Sequence, residues 1–206
     1  MVDAKLRSIV LVEGPSDAAA VRALARRRGH DLDAEGVSVV AMGGYGNLGR
    51  FLQRYGPSRL GVRLAGLYDA PEERYFRRGL ARAGFGSSLT RADLEGLGFY
   101  ACEVNLEDEL TRALGPEAME DLLETQGEVS AFRTYQKQPA HREEAIETQL
   151  RGFLWNRKLK YGVLIVDALD LDRIPRPLER VLAHALSAGP PSASLHTPPR
   201  SSGSVS

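Results

Sequence analysis

One cysteine, four lysines, one tryptophan and no long apolar run set the first limits on this 206-residue chain. The lone Cys102 cannot close an internal disulfide or build a cysteine zinc site, which excludes a disulfide-built secreted scaffold. No apolar run approaches the roughly 20 residues that span a bilayer. The opening stretch MVDAKLRSIVLVEG soon meets Glu13 and Asp17, so it does not read as a signal peptide. A cytoplasmic protein without a membrane partner is the expectation. Net charge is also missing, with 27 Lys+Arg against 27 Asp+Glu, which argues against a protein that coats nucleic acid. What is present suits a globular chain: 43% hydrophobic and 26% charged residues, enough for one domain plus an extension. Apart from Lys5, Lys137, Lys158 and Lys160, every basic residue is an arginine. High-GC coding bias and phosphate recognition by the guanidinium fork both produce that bias.

The periodicity alternates. Residues 7–12 (RSIVLV) form a short apolar run closed by Glu13-Gly14-Pro15, a buried strand ending in a turn. The Ala-rich stretch Asp17–Arg28 is a helix, capped by Ser16 or Asp17 and stopped by Gly29. Further strands are expected at Val37–Met42, Val62–Tyr68 and Gly98–Val104, with helices at Asn47–Tyr55, Glu72–Ala83 and Arg91–Leu97 between them. Strand and helix in alternation imply a parallel sheet with helices on both faces. Past residue 106 the pattern turns helical, at 107–125, 128–136, 140–155, 157–171 and 176–187. The expected division is therefore an α/β domain over 1–106, a helical extension over 107–187 and a disordered Pro/Ser-rich tail over 188–206.

Ligands of open α/β sheets sit beyond the carboxyl ends of the strands. Glu13 and Asp17 follow the first expected strand, Gly43, Gly44 and Gly46 the second, Asp69, Glu72 and Glu73 the third, and Glu107, Asp108 and Glu109 the fourth. Carboxylates gathered in one cleft repel one another unless a cation neutralises them, and hard oxygen donors suit Mg²⁺ or Mn²⁺. Each acid is equally at home as a helix cap or first-turn residue. The turn Gly44-Tyr45-Gly46-Asn47-Leu48-Gly49, with Asp69 twenty residues on, also has the spacing of a dinucleotide-binding fingerprint. That reading places the turn after the second strand instead of the first. It also leaves Glu13, Asp17 and the Glu107–Glu109 cluster without a role.

Taken together, IVLVEGPSDAAAV, VVAMGGYGNLGRF, LAGLYDAPEERYF and NLEDELTRAL resemble the TOPRIM domain, most closely that of the OLD (overcoming-lysogenization-defect) nucleases and their stand-alone relatives. The resemblance covers roughly residues 7–115. It implies a TOPRIM-like Rossmannoid fold: a short parallel sheet of about four strands sandwiched by helices, with a C-terminal helical extension. It also implies Mg²⁺- or Mn²⁺-dependent cleavage or transfer at phosphodiesters of DNA or RNA, with DNA favoured. Glu13 matches the glutamate after the first strand, Asp17 the second acid of E-G-x-S-D, and Asp69 the first Asp of D-x-D. Glu107 and Asp108 match the late acidic pair. Position 71, where the second Asp of D-x-D belongs, is Pro71; Glu73 or Glu72 would have to stand in from further along the turn.

Under this resemblance Glu13 and Asp69 are the catalytic core, and the metal ligands are Glu13, Asp17, Asp69, Glu73, Glu107 and Asp108. Gly43, Gly44 and Gly46 let backbone approach a phosphate. OLD-type regions also bring a basic residue of the helical part to the site, for which Lys158 and Lys160 are the candidates. Arg22, Arg50, Arg54, Arg77 and Arg78 are expected to rim the cleft. No G-x-x-x-x-G-K-[S/T] occurs, so a separate ATPase is the implied partner, and a dimer is left open. A degenerate TOPRIM acting as a binding module is the alternative. Trp155 and Phe153 read as packing residues, the four histidines as surface residues and Cys102 as inert core.

Overall fold

The computed structural model describes residues 6–56 and 62–187; the expected tail from residue 188 lies outside them. Three β-branched or leucine-rich runs form the strands β1 (Ser8–Val12), β2 (Val37–Ala41) and β3 (Arg63–Asp69), and the aromatic run FYAC forms β4 (Phe99–Cys102). They pair all-parallel in the order β2-β1-β3-β4, so β1 and β3 lie side by side at the centre. Leu11 pairs with Val40 on one side and Gly66 on the other, and Asp69 is in register with Cys102. The chain leaves β1 for one edge and returns to its other side as β3. The ends of β1 and β3 are thus the switch point at which such sheets bind ligands.

Alternate side chains of the strands face opposite layers. Val10, Val12, Ala65, Leu67, Tyr100 and Cys102 face a core built with α1 (Pro15–Arg27) and the later helices. Those helices are α5 (Leu106–Leu114), α6 (Pro116–Thr125), α7 (Val129–Gln136), α8 (Ile146–Leu154), α9 (Lys158–Ala168) and α10 (Arg176–Leu186). On the other face Ile9, Leu11, Leu64, Tyr68 and Phe99 pack against α2 (Leu48–Tyr55), α3 (Glu73–Arg82) and α4 (Arg91–Gly96). The helical part is therefore half of the covering of one sheet face, sharing a core with α1. Ser8 Oγ donates to the Ala185 carbonyl at 2.7 Å and stitches β1 to α10.

Three expectations change. The single helix over 107–125 is two, because Gly115 at φ +87° ends α5 and Pro116 opens α6. The cap of α1 is Gly14, whose N–H donates to the Asp17 carboxylate at 2.9 Å, and neither Ser16 nor Asp17 is the cap residue itself. His184 is not a surface residue: it lies half-buried with its ring 6.4 Å from that of Tyr100, and burial lowers its pKa. Among the described residues no helix is long and apolar enough to cross a membrane.

Candidate active site

A cleft of about 580 Å³ opens at the carboxyl ends of β1 and β3. Its walls carry Glu13, Asp17, Asp69, Glu107, Asn105 and Lys158, with Gly43, Gly44, Ser16 and Trp155 beside them. Three separate backbone origins explain the convergence. Glu13 leaves the end of β1 and Asp17 the first turn of α1; Asp69 is the last residue of β3; Glu107 sits in the first turn of α5, which Asn105 caps by accepting the Asp108 N–H at 2.8 Å. The fourth wall comes from the helical part. α9 crosses the start of α1 so closely that a Cβ on Gly162 would lie 3.6 Å from the Ser16 carbonyl. One turn earlier on α9, Lys158 Nζ sits 3.4 Å from Glu107 Oε1. Ser16 Oγ donates to the same carboxylate oxygen at 3.1 Å.

Four carboxylates share this cleft with a single lysine among its described lining residues. Burial pushes the Asp69 carboxyl up to about 7, reinforced by the Glu13, Asp17 and Glu107 charges and partly offset by the Tyr45 hydroxyl. Asp17 is pushed up to about 6 by burial, with Glu107 and Glu13 adding to it while the Gly14 N–H and Lys158 pull it down. Tyr45 itself is held to Asp69: its hydroxyl accepts the Asp69 backbone N–H at 2.9 Å, and burial with the Asp69 charge raises its pKa. Both aspartates gain by keeping a proton, which marks a site with more negative charge than its surroundings can solvate.

A divalent cation would relieve that excess. Among the described residues no three acidic, histidine or cysteine side chains are already gathered to hold a metal ion. Local partners account for this, since Asp17 is turned to Gly14 and Glu107 to Ser16 and Lys158. The donors are nonetheless all hard oxygens, and Mg²⁺ commonly binds through one or two carboxylates while keeping several waters. The residue set therefore fits a hard divalent ion that needs few protein ligands.

The remaining residues singled out from sequence lie elsewhere. Glu73 pairs with Arg77 and, at 2.8 Å, with Arg91, and is not among the described residues lining the cleft. Asp108 is buried between Arg112 at 2.9 Å and Arg151 at 3.0 Å. Lys160 pairs with Glu128 at 2.6 Å. Gly43 and Gly44 line the cleft, but their N–H groups donate to the Glu13 carbonyl at 2.9 and 3.2 Å. Those bonds brace the glutamate and leave the amides engaged. Gly46 lines a different hollow with Tyr45, Tyr75 and Arg78. None of the expected rim arginines is among the described cleft residues: Arg22 binds the Val39 carbonyl at 2.7 Å, and Arg50 and Arg54 lie over Phe51 and Tyr55. Conversely Tyr45, Asn105 and Trp155 belong to the site without having been singled out for it. For Tyr45 the available signal was a bulky residue in a glycine turn; for Asn105, a cap residue just ahead of the acidic cluster.

Residues 6–70 match the sequence model of the "Overcoming lysogenization defect protein-like, TOPRIM domain" family. That stretch holds Glu13, Asp17, Gly43, Gly44, Tyr45 and Asp69. A search of curated proteins finds no match to the chain. Among solved structures, the C-terminal region of the Xanthomonas campestris pv. campestris OLD protein is similar with a TM-score of 0.67 at 22% identity, over 87% of this chain and 92% of that one. The C-terminal region of the Burkholderia pseudomallei OLD protein is similar with a TM-score of 0.67 at 20% identity, over 88% and 97%. At these identities the likeness is one of fold.

Proposed function

We propose that this chain, an OLD-like TOPRIM domain over residues 6–70 with the fold of OLD C-terminal regions over most of its length, is a divalent-metal-dependent nuclease acting on phosphodiesters, DNA first among them. The observation that carries the reading is the meeting of Glu13, Asp17, Asp69 and Glu107 with Lys158 in one cleft at the sheet's switch point. Glu13, Asp17 and Asp69 would hold Mg²⁺ or Mn²⁺, with Glu107 on the opposite wall available to a second ion. Such ions supply Lewis-acid stabilisation of phosphoryl charge and a more acidic water.

The chain's own groups do the rest. The carboxylates repel a bare phosphodiester, so the cleft discriminates in favour of cations until its charge is matched. Lys158 places an ammonium where negative charge develops at phosphorus, and Glu107 holds it there at 3.4 Å. Tyr45 steers Asp69 through the backbone N–H it accepts. The Glu13 carbonyl, fixed by Gly43 and Gly44, keeps that residue's side chain at the mouth of β1. Glu107, reaching in from α5, gives the cleft an acid where the Pro71 turn provides none. A separate ATPase as partner follows from the same kinship. Supercoiled plasmid should be nicked by the purified protein with Mn²⁺, and Glu13→Ala and Asp69→Ala should each abolish nicking. Equal nicking by wild type and both variants would trace the activity to a contaminant and end the proposal.

A further inference from the structure

Trp155 is the chain's only tryptophan, and 62% of its surface is exposed. Its neighbours Phe153 and Leu154 are each 5% exposed and fill the core from the same turn, so packing is satisfied without it. The indole stands in the short 3-10 turn Trp155–Arg157 that joins α8 to α9, on the wall of the acidic cleft. Lys158 Nζ lies 4.3 Å from the ring centroid, the same ammonium that reaches Glu107. A lysine can cover one face of an indole, and the exposure leaves ring surface open to incoming groups.

Resting on the nuclease reading of this site, we infer that Trp155 is a stacking platform for an unpaired nucleobase, so that the cleft takes single-stranded nucleic acid, or an unpaired end or bubble, in preference to intact duplex. Leaving an indole in water is unfavourable, and a π-face beside a cation and a phosphodiester site matches a ligand that is at once aromatic and anionic. A nucleotide is such a ligand. Stacking is blind to base identity because every base has a π-face, whereas bases inside a duplex are already stacked on their neighbours. Leu159, four residues on, is also exposed at 57% and could extend an apolar patch for a protein partner. The immediate wall argues for the nucleotide, since Asn105, Glu107 and Lys158 beside the ring are polar or charged.

Because Trp155 is the sole tryptophan, its fluorescence reports the contact directly. The full chain in millimolar Ca²⁺, which screens the carboxylates, would be titrated with single-stranded oligo(dT), oligo(rU) and a blunt duplex of equal length. Labelled-oligonucleotide anisotropy would follow binding in parallel. Saturable quenching by either single strand but not by duplex is expected. Trp155→Ala should weaken single-strand binding roughly 5- to 100-fold with an unchanged thermal midpoint, and Trp155→Phe should retain most of it. Quenching by duplex as strong as by single strand, absence of binding, or Trp155→Ala binding as tightly as wild type would each overturn the inference; the last would leave the ring to a protein partner. Plasmid nicking by the same protein preparations in Mn²⁺ separates the two readings. Nicking without quenching defeats stacking alone, and quenching without nicking defeats the nuclease alone.

Discussion

Asp69 and Asp17 keep their protons to about 7 and about 6 because burial and neighbouring carboxylates penalise the charged form, against an ordinary value of 3.8. A group whose folded pKa is raised binds more protons in the folded than in the unfolded chain between those two values. Its contribution to stability is therefore present in full below about pH 4 and lost as pH rises through about 6 to 7. Asparagine cannot ionise, so Asp69→Asn should gain on wild type as pH climbs across that window. The gain should be on the order of 1 kcal/mol once solvent access is allowed for. Thermal melts of metal-free protein at both ends of the window test this. A difference flat with pH would mean that the carboxylates are not crowded. Added Mg²⁺ at the upper end should shrink the gap, since it relieves wild type and not the variant.

At the scale of elements, α9 owes its position to α1. Arg27, in the last turn of α1, donates to the carbonyls of Val166 and Leu169 where α9 ends, satisfying acceptors that the helix terminus leaves open. Arg27→Ala should cost about 2 kcal/mol, read as a fall in the urea midpoint with an unchanged slope. An unchanged midpoint would show that water replaces the guanidinium freely.

The elements themselves were legible because they announce themselves locally. RSIVLV, VSVVAM and VRLAGLY are β-branched or leucine-rich runs stopped by turn residues, and each is a strand to within two residues. The meeting of Glu13, Asp17 and Asp69 followed from strand ends sharing one edge of a parallel sheet. What stayed hidden depends on partners distant in sequence. Sequence places Glu73 near the Pro71 turn and Asp108 in the acidic cluster, but it does not show that Arg91 pairs with the first and Arg151 with the second. Lys158 and Lys160 differ by two residues, and only the crossing of α9 over α1 decides that the first faces the cleft and the second Glu128. Trp155 read as a packing residue because its neighbour Phe153 is one; helix pattern alone does not tell a core position from the exposed turn beyond it.

In the whole molecule, the α/β part and the helical part share a single core. Val10, Val12, Tyr100 and Cys102 of the sheet lie in the same apolar cluster as Met119, Phe132, Leu150, Tyr161, Val166 and Leu182. Residues 1–106 expressed alone would leave that sheet face covered by α1 only, exposing the apolar surface that the later helices bury, too large for a soluble monomer to carry. The fragment should aggregate or lack a cooperative melt, while the full chain melts as one transition. A soluble, cooperatively folding 1–106 fragment would show that the helical part is dispensable packing.

The bond from Ser8 to Ala185 spans 177 positions, and Lys158 enters a cleft whose lining acids lie within the first 107 residues. During synthesis the acidic half of the site is thus made well before its basic wall, by roughly 3–10 seconds at about 5–20 residues per second. Only when α9 and α10 have left the ribosome can the sheet face be closed and the ammonium delivered. On the proposed reading, the acidic cleft therefore waits for the ammonium that faces its phosphodiester until α9 has docked on α1.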